Sequence, residues 1–217
     1  MTAAPTVRVP PARWPRGPFA QMVAALAGRA TRGDPPRLFT TLGHNPRLFR
    51  RWLPFSGALL YGGALARTDR ELVILRTAWR CGSWYEWAQH VELARRAGLA
   101  GADVERVAAG PEAAGWRDRQ RLLLEAVDEL HDRRVVTDAT WAALAGMLDE
   151  RQLIELCFLV GHYEMLAMTL NSLGVEPEAT SLGRLDGPTA EAARRLARRL
   201  LAARAGGASP AAGAVGH

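Results

Sequence analysis

The sequence predicts an all-α fold, because apolar residues recur at helical spacing over most of the chain and strand patterns are nearly missing. Patterns with a period of 3.6 residues run from about residue 18 to residue 204, without a sustained apolar–polar alternation bounded by turns. Hydrophobic residues make up 48% and charged residues 23% of the 217 residues, which is typical of soluble globular proteins. This length suits one domain with a sizeable core.

Caps, breaks and periodicity place the helices along a predicted domain that covers residues 17–180. Asn45-Pro46 and Pro54 limit helix continuation, so residues 40–62 are expected to form a broken segment. Asp149 and Gln152 form a capping pattern for the longest helix, which is expected to end at Gly174. The predicted helices are 18–29, 68–80, 83–97, 101–109, 116–133, 138–147 and 150–173.

The two ends of the chain are expected to differ from the domain. Residues 1–16 are rich in Pro and Arg and are predicted to form a disordered arm. Residues 181–204 are predicted to contain a basic helix that docks on the body or is solvated, and the Ala/Gly-rich residues 205–217 to form a disordered tail.

The charge distribution argues against a nucleic-acid partner. Residues 1–51 contain nine Arg and one Asp, and residues 184–217 contain six Arg and two acids, whereas the region between them has a net charge of −6. Nucleic-acid-binding domains usually concentrate positive charge on a folded face rather than at the ends of the chain. We therefore expect no nucleic-acid partner.

Compartment signals favour the cytoplasm. No uninterrupted apolar run approaches the roughly 20 residues that span a bilayer, and the N-terminus lacks the apolar stretch of a secretory signal, so no membrane partner is expected. Two cysteines, Cys81 and Cys157, cannot hold a disulfide scaffold together. We expect both to be reduced and to pack in the interior, although their pairing stays open.

Three ionisable residues are the best candidates for chemistry. On a helix over 83–97, Glu86 and His90 project from the apolar face one turn apart. Glu71 lies on the apolar face of the preceding helix, so packing of the two helices as a hairpin would bring the three together. Burial of such groups is costly unless they pair or serve a pocket. The alternatives are that Glu86 caps the helix by bonding to Ser83, that His90 is a core histidine and that Glu71 pairs with an Arg.

Aromatic residues around this pair are expected to line a substrate pocket. Trp84 and Trp87 flank the acid–imidazole pair, and Trp52, Phe55 and Tyr61 come from the broken segment. His162 lies on an apolar face and is either a second catalytic residue or a core histidine. No second pair of metal-ligating residues lies on a facing helix, as a di-iron bundle would have, so no metal is expected.

A weak internal repeat is also visible. The segment Arg70–Leu75 leads to Tyr85-Glu86-Trp87, and the similar segment Arg151–Leu156 leads to Tyr163-Glu164-Met165. The spacings differ by three residues, so the repeat alone is weak evidence for duplication.

The stretch RELVILRTAWRCGSWYEWAQHVELARRAGL resembles the carboxymuconolactone decarboxylase/AhpD-like family, and the resemblance covers roughly residues 40–177. The redox branch of the family is similar to E-x11-C-x2-C-x3-H. Glu71 and His90 match this motif, whereas the two cysteine positions are Ser83 and Glu86. Dithiol chemistry needs an attacking thiolate and a second resolving thiol, so the resemblance is to a branch without redox thiols.

This resemblance implies an AhpD-like domain of antiparallel helix hairpins that forms a homo-oligomer, either a trimer or a dimer of trimers. It further implies a lyase (decarboxylase) or isomerase that needs no cofactor and acts on a small oxo- or lactone-carboxylate. In this interpretation His90 is the general acid/base, and Glu86 orients it or tunes its pKa. Glu71 is a second carboxylate that holds water or a substrate hydroxyl, and Ser83 belongs to the pocket. The alternatives are an alkylhydroperoxidase-type oxidoreductase that uses Cys81 and a non-catalytic oligomeric module that binds a small ligand.

Overall fold

The structure is a computed structural model that describes residues 7–13, 15, 17–31 and 35–178, with residues 181, 194, 195, 198, 199 and 202. Over these residues the secondary structure is helical and contains no strand, as the sequence predicts. The helices are α1 (Pro18–Thr31), α2 (Arg37–Leu42), α3 (Pro46–Tyr61), α4 (Arg67–Arg80), α5 (Trp84–Arg96), α6 (Gly101–Ala109), α7 (Asp118–Arg133), α8 (Asp138–Ala145) and α9 (Glu150–Leu173).

The segment predicted to be broken contains two helices instead, α2 and α3. The Asn45 side chain accepts a bond from the Leu48 amide (3.2 Å) and Pro46 occupies the first turn, so the Asn-Pro pair begins α3. Pro54 lies within α3, where its ring faces solvent. The expected break at Asn45-Pro46 is present between α2 and α3. The expected break at Pro54 was wrong, because an exposed proline can be accommodated within a helix that tertiary packing stabilises.

The N-terminal arm makes specific contacts, so the expected disorder does not hold for residues 7–13. The amides of Arg8 and Val9 both donate to the carbonyl of Leu173 at the end of α9 (3.0 and 3.1 Å), and the Ala12 amide donates to Thr40 (3.3 Å). These partners belong to distant helix ends, which composition does not identify. Residues 1–6 lie outside the described residues.

The predicted C-terminal helix falls mostly outside the described residues, as does all of the predicted tail 205–217. The described positions 194, 195, 198, 199 and 202 are helical. The Arg195 guanidinium donates to Glu105 of α6, and the Arg199 guanidinium lies over the ring of Trp79, 6.0 Å from its centroid. These two contacts place the described part of the segment against the domain.

Helix α4 occupies the centre of the domain, buried from Asp69 to Trp79 and packed against α5, α6, α7 and α9. Thr68 at its start donates to the carbonyl of Ala97 at the end of α5 (2.8 Å), while the Ser83 amide donates back to Ala78 (2.8 Å). The two helices therefore form an antiparallel hairpin. This orientation brings Glu71 of α4 next to His90 of α5.

Two apolar clusters flank α4. One lies against α5 and α6 and includes Trp79 and Trp87, whose ring centroids are 5.5 Å apart. The other lies against α7, α8 and α9 and includes Ile74, Leu123 and Leu156. A helix enclosed in this way has no solvated face, so its polar side chains need partners inside the protein.

Helix α9 is long and apolar enough by length and composition to cross a membrane, which the search for an uninterrupted apolar run did not predict. Half of its most apolar stretch is buried inside the domain, as in the core helix of a globular protein, so this is weak evidence for a membrane span. Ile154, Phe158, Met165 and Met168 remain exposed and follow one another at helical spacing along one face of α9. We call these four residues the α9 stripe.

A buried ion pair joins α4 to α6 and α7. The guanidinium of Arg76 donates to both oxygens of Asp128 (2.8 and 2.7 Å) and also to the carbonyls of Val107 and Ala108 (2.8 and 3.3 Å). The Arg76 side chain is only 5% exposed. Removal of Asp128 would leave a buried cation without its counter-ion.

Asp128→Ala is expected to lower the free energy of unfolding by about 3–5 kcal/mol, because it breaks one side of a buried ion pair. Urea denaturation followed by circular dichroism measures the change. Glu125→Ala is the matched control on the same helix, since Glu125 pairs with the more exposed Arg121, and it should cost at most about 1 kcal/mol. If the two variants lost the same free energy of unfolding, this description of the Arg76–Asp128 ion pair would be contradicted.

Candidate active site

His90 is held between two polar partners that come from different helices. Its Nδ1 lies 2.8 Å from Oε2 of Glu71 on α4, and its Nε2 lies 3.1 Å from the hydroxyl of Tyr163 on α9. All three side chains are buried. Both ring nitrogens of the imidazole are therefore satisfied, and the ring is fixed in orientation.

The partners also determine where the protons lie. An ionised Glu71 can only accept, so the proton of a neutral His90 ring belongs on Nδ1, and Nε2 is free to accept the Tyr163 hydroxyl proton. Burial raises the pKa of Tyr163 well above its usual value, and the negative charges of Glu71 and Glu86 raise that pKa further. Tyr163 therefore stays a neutral donor at neutral pH.

Glu86 lies on the same face of α5 but does not bond to His90. Its side chain is buried, and neither carboxyl oxygen has a hydrogen-bond partner among the described residues. Burial raises the pKa of Glu86 to about 8, although the nearby Ser83 hydroxyl opposes this shift. At neutral pH most of the protein therefore carries Glu86 as an uncharged carboxylic acid.

Three sequence-based interpretations need correction here. The proposed capping contact of Glu86 is wrong, because no side-chain hydrogen bond caps the start of α5. The expected orienting role of Glu86 is also wrong, because Glu71 holds the His90 imidazole. Among the described residues, the observed ion-pair partner of Glu71 is His90 and not an Arg, so that alternative is wrong as well. Helical spacing puts a side chain on a face, but the packing of α4 selects its partner.

A cavity of about 180 Å³ opens beside His90 and Glu86. It lies between α5, the start of α2, α3 and the middle of α9. Most of its walls are apolar. The lining residues with polar or aromatic side chains are Phe39, Trp52, Ser56, Tyr61, Tyr85, Glu86, Gln89, His90 and Tyr163.

The predicted pocket residues fall into two groups. Trp52 and Tyr61 line the cavity as expected. Three other predicted residues, Trp84, Trp87 and Ser83, do not line it. Trp84 and Trp87 lie on the side of α5 that packs against α4 and α6, where Trp87 is fully buried, and Ser83 is buried at the start of α5. The prediction for these three residues was wrong, since proximity in sequence to His90 does not place a side chain on the same face.

Phe55 and His162 form an aromatic cluster next to the cavity but are not among its lining residues. The His162 ring packs against the rings of Phe55 (centroids 5.2 Å apart), Trp52 (6.0 Å) and Tyr163 (5.2 Å). Burial lowers the pKa of His162 to about 4, with a smaller contribution from His90. His162 is therefore neutral at neutral pH and supports the rings that form the wall.

Sequence reasoning missed Tyr163, Tyr85 and Gln89. Glu178, beyond α9, holds the last two in place: it accepts from the Tyr85 hydroxyl (3.1 Å), from the Gln89 side-chain amide and from the Arg37 backbone amide (2.6 Å). The weak repeat provided a signal for Tyr163, because it aligns Tyr163 with Tyr85. Both tyrosines of the repeat line the cavity.

One family of known proteins matches part of this chain. Residues 46–129 match the carboxymuconolactone decarboxylase family. The matched region contains Glu71, Ser83, Glu86 and His90, and the resemblance noted in the sequence is thereby confirmed. A search of curated proteins finds no significant match to this chain.

Solved structures with the same fold include AhpD-like proteins. An uncharacterized peroxidase-related protein with an alkylhydroperoxidase AhpD core from Ralstonia eutropha JMP134 is 19% identical, with a TM-score of 0.71 over 79% of this chain and 92% of that one. A peroxidase-related protein from Silicibacter sp. TM1040 is 16% identical, with a TM-score of 0.71 over 82% and 95%. A complex of the debrominase Bmp8 with 2,3,4-tribromopyrrole is 14% identical, with a TM-score of 0.70 over 91% and 100%. These likenesses confirm the AhpD-like helical fold.

The raised pKa of Glu86 should make stability depend on pH. Between the ordinary carboxyl pKa of 4.5 and about 8, folded protein holds a proton on Glu86 that unfolded protein releases, so stability falls as pH rises through this range. Glu86→Gln should remove this contribution, and the variant should gain stability relative to wild type from pH 5 to pH 8. Denaturant titrations at several pH values measure the difference, and a constant difference would contradict the assignment.

Proposed function

We propose that the protein is a lyase or isomerase that needs no cofactor and moves a proton on a small oxo- or lactone-carboxylate. The observation that carries this proposal is the chain of Glu71, His90 and Tyr163 at the wall of a largely apolar cavity. The family match and the small-molecule chemistry of the debrominase relative support an enzyme that acts on a small molecule. His90 is the proton-transferring group, and Glu71 is the residue that positions it.

The geometry supports different roles for Glu86 and for His90 at the cavity. Removal of a proton next to a carbonyl, or loss of CO₂ from a carbon next to it, leaves an electron pair that moves onto the carbonyl oxygen as an enolate. Protonated Glu86 can donate a hydrogen bond to that oxygen, as buried neutral carboxylic acids do in other enzymes. In isomerisation, Nε2 of His90 exchanges its bond from the Tyr163 hydroxyl for the substrate proton and then returns that proton to another carbon. In decarboxylation, no proton is taken from the substrate, so the carbon receives a proton that Nε2 has first gained from solvent. Glu71 stabilises the protonated ring in both cases.

Cavity size and lining limit the substrate class. The volume of about 180 Å³ slightly exceeds that of an apolar cavity of about 150 Å³ that holds benzene, so a single small ring fits. No Arg is among the lining residues that the structure describes, and the chain contains no Lys. The Tyr85 hydroxyl and the Gln89 side-chain amide already donate to Glu178, so they offer little to a substrate carboxylate. This lining favours substrates with at most one carboxylate.

The oxidoreductase alternative has less support. Cys81 is not among the lining residues of the cavity, and burial raises the pKa of its thiol to about 12, so the reactive thiolate is scarce at neutral pH. Both Cys81 and Cys157 are free and partly exposed, rather than fully buried as expected. Ser83 and Glu86 occupy the motif positions where the redox branch has its two cysteines.

A homo-oligomer is part of the proposal, as a trimer or a dimer of trimers. The α9 stripe supports it, because exposed apolar side chains in a continuous row on one helix are typical of a subunit interface. A cytoplasmic location and the lack of a nucleic-acid or membrane partner remain predictions from the sequence.

Proton transfer by His90 can be measured without knowledge of the natural substrate. Wild-type protein in D₂O, offered a panel of small oxo acids and unsaturated lactone carboxylates, should catalyse deuterium exchange or CO₂ release for some members. His90→Gln should lower this rate at least about 100-fold, because it removes the general acid/base. NMR spectroscopy measures the exchange, and a CO₂-coupled assay measures decarboxylation.

The matched control is His44→Gln. His44 lies outside the cavity, where its Nε2 contacts the carbonyl of Pro10 (3.1 Å), so the variant should keep the wild-type rate. Wild-type rates in His90→Gln would refute the role of His90. Tight binding of panel members without exchange or CO₂ release would favour the binding-module alternative, and consumption of an alkyl hydroperoxide with a dithiol reductant would favour the oxidoreductase.

The oligomer proposal predicts that Phe158→Arg lowers the molar mass in solution, because it puts a charge in the middle of the α9 stripe. Light scattering coupled to size-exclusion chromatography measures this mass. Val135→Arg is the control, since Val135 is equally exposed but lies outside the stripe, and it should leave the mass unchanged. A wild-type mass of one chain would refute the oligomer.

A further inference from the structure

A second cluster of reactive side chains lies outside the cavity lining. Cys81 directly follows α4, His131 lies in the last turn of α7 and Glu164 lies in the middle of α9. Their ligand atoms all lie within 4.8 Å of one another, and none of the three residues lines the cavity. Three helices that are separate in sequence therefore bring a thiol, an imidazole and a carboxylate to one point.

The arrangement does not suit a nucleophile–base–acid relay. In a relay the two nitrogens of the histidine face different partners, one the nucleophile and the other the acid. In this cluster the same atom, Nδ1 of His131, lies 3.8 Å from Sγ of Cys81 and 2.7 Å from Oε1 of Glu164. Convergence of three potential ligands on one point is the geometry of a shared cation.

The distances are close to those of a tetrahedral zinc site. Bond lengths of about 2.3 Å to sulfur and about 2.1 Å to nitrogen or oxygen place sulfur and nitrogen about 3.6 Å apart, and nitrogen and oxygen about 3.4 Å apart. The sulfur–nitrogen distance of 3.8 Å is near this value. The nitrogen–oxygen distance of 2.7 Å is that of a hydrogen bond, so a metal would replace the Nδ1 proton and push the carboxylate back by less than 1 Å.

We propose that Cys81, His131 and Glu164 bind a divalent transition-metal ion of the zinc class. A thiolate, an imidazole and a carboxylate are a ligand set that Zn²⁺ accepts. Arg134 bonds to the other oxygen of Glu164 (2.7 Å), which leaves Oε1 directed at His131. Outer residues that orient a ligand in this way are typical of metal sites.

The site is reachable from solvent and supplies negative charge. The thiolate and the carboxylate carry two negative charges, and Arg134 on the outer oxygen of Glu164 offsets one of them. Cys81 is partly exposed and the His131 side chain is 23% exposed, so an ion can enter from solvent and keep water as its fourth ligand. On binding, the Cys81 thiol releases its proton to solvent, and a metal on Nδ1 of His131 leaves the ring proton on Nε2.

Cobalt titration of the full-length, reduced protein tests the proposal. After treatment with a chelator and its removal, Co²⁺ should produce a thiolate-to-metal absorption band in the near ultraviolet that saturates at one ion per chain, and Zn²⁺ should abolish it. Cys81→Ser should remove the band. His131→Gln and Glu164→Gln should each weaken Co²⁺ binding at least about tenfold. Zn²⁺ should raise the melting temperature of wild type but not that of Cys81→Ser.

The matched control is Cys157→Ser, which removes the other cysteine, on α9, and should keep both the band and its affinity. Circular dichroism establishes that each variant is folded. The proposal is overturned if wild type shows no band, if the band survives in Cys81→Ser, or if it disappears in Cys157→Ser. Deuterium exchange by wild type with and without Zn²⁺ is a separate assay, so failure of the metal site and failure of the proposed function are distinguishable.

Discussion

The structure depends on a central helix that has no solvated face but still carries ionisable side chains. Along α4, Asp69 bonds to Arg119 on α7, Glu71 to His90 on α5, and Arg76 to Asp128 on α7. A buried charge without a partner would cost several kcal/mol. Each of these residues therefore requires a particular neighbour at a particular position along the helix axis. The positions of α5 and α7 around α4 are constrained by polar pairing as well as by apolar packing.

The candidate active site follows from the same requirement. The hydrogen bond to His90 offsets the cost of burying Glu71, and it also fixes the orientation of the His90 ring. The other ring nitrogen bonds to the hydroxyl of Tyr163. A fixed imidazole beside a cavity is pre-organised for proton transfer, because it does not have to reorient during the reaction. Structural and chemical roles are therefore combined in one hydrogen-bonded chain across three helices.

Glu86 does not follow this pattern of paired groups. Within the described part of the chain, neither of its carboxyl oxygens has a hydrogen-bond partner, and both ring nitrogens of His162 are likewise unpaired. Burial raises the pKa of Glu86, because an unpaired carboxylate is unfavourable inside the protein. An unpaired buried carboxyl group lowers the stability of the folded protein. A ligand that accepts its proton or its hydrogen bond would remove this cost.

Periodicity and neighbouring residues were enough to predict the helical class, most helix positions after residue 62, the capping of α9 and the approach of Glu71 to His90. They could not predict which acid holds His90, that Tyr163 completes the chain, or that Trp87 belongs to the core rather than the cavity, because these depend on how the helices pack. Tertiary structure also decided that Cys81 meets residues from two distant helices. The reason is physical: local spacing assigns a side chain to a face, whereas its partner depends on which helix covers that face and at what height.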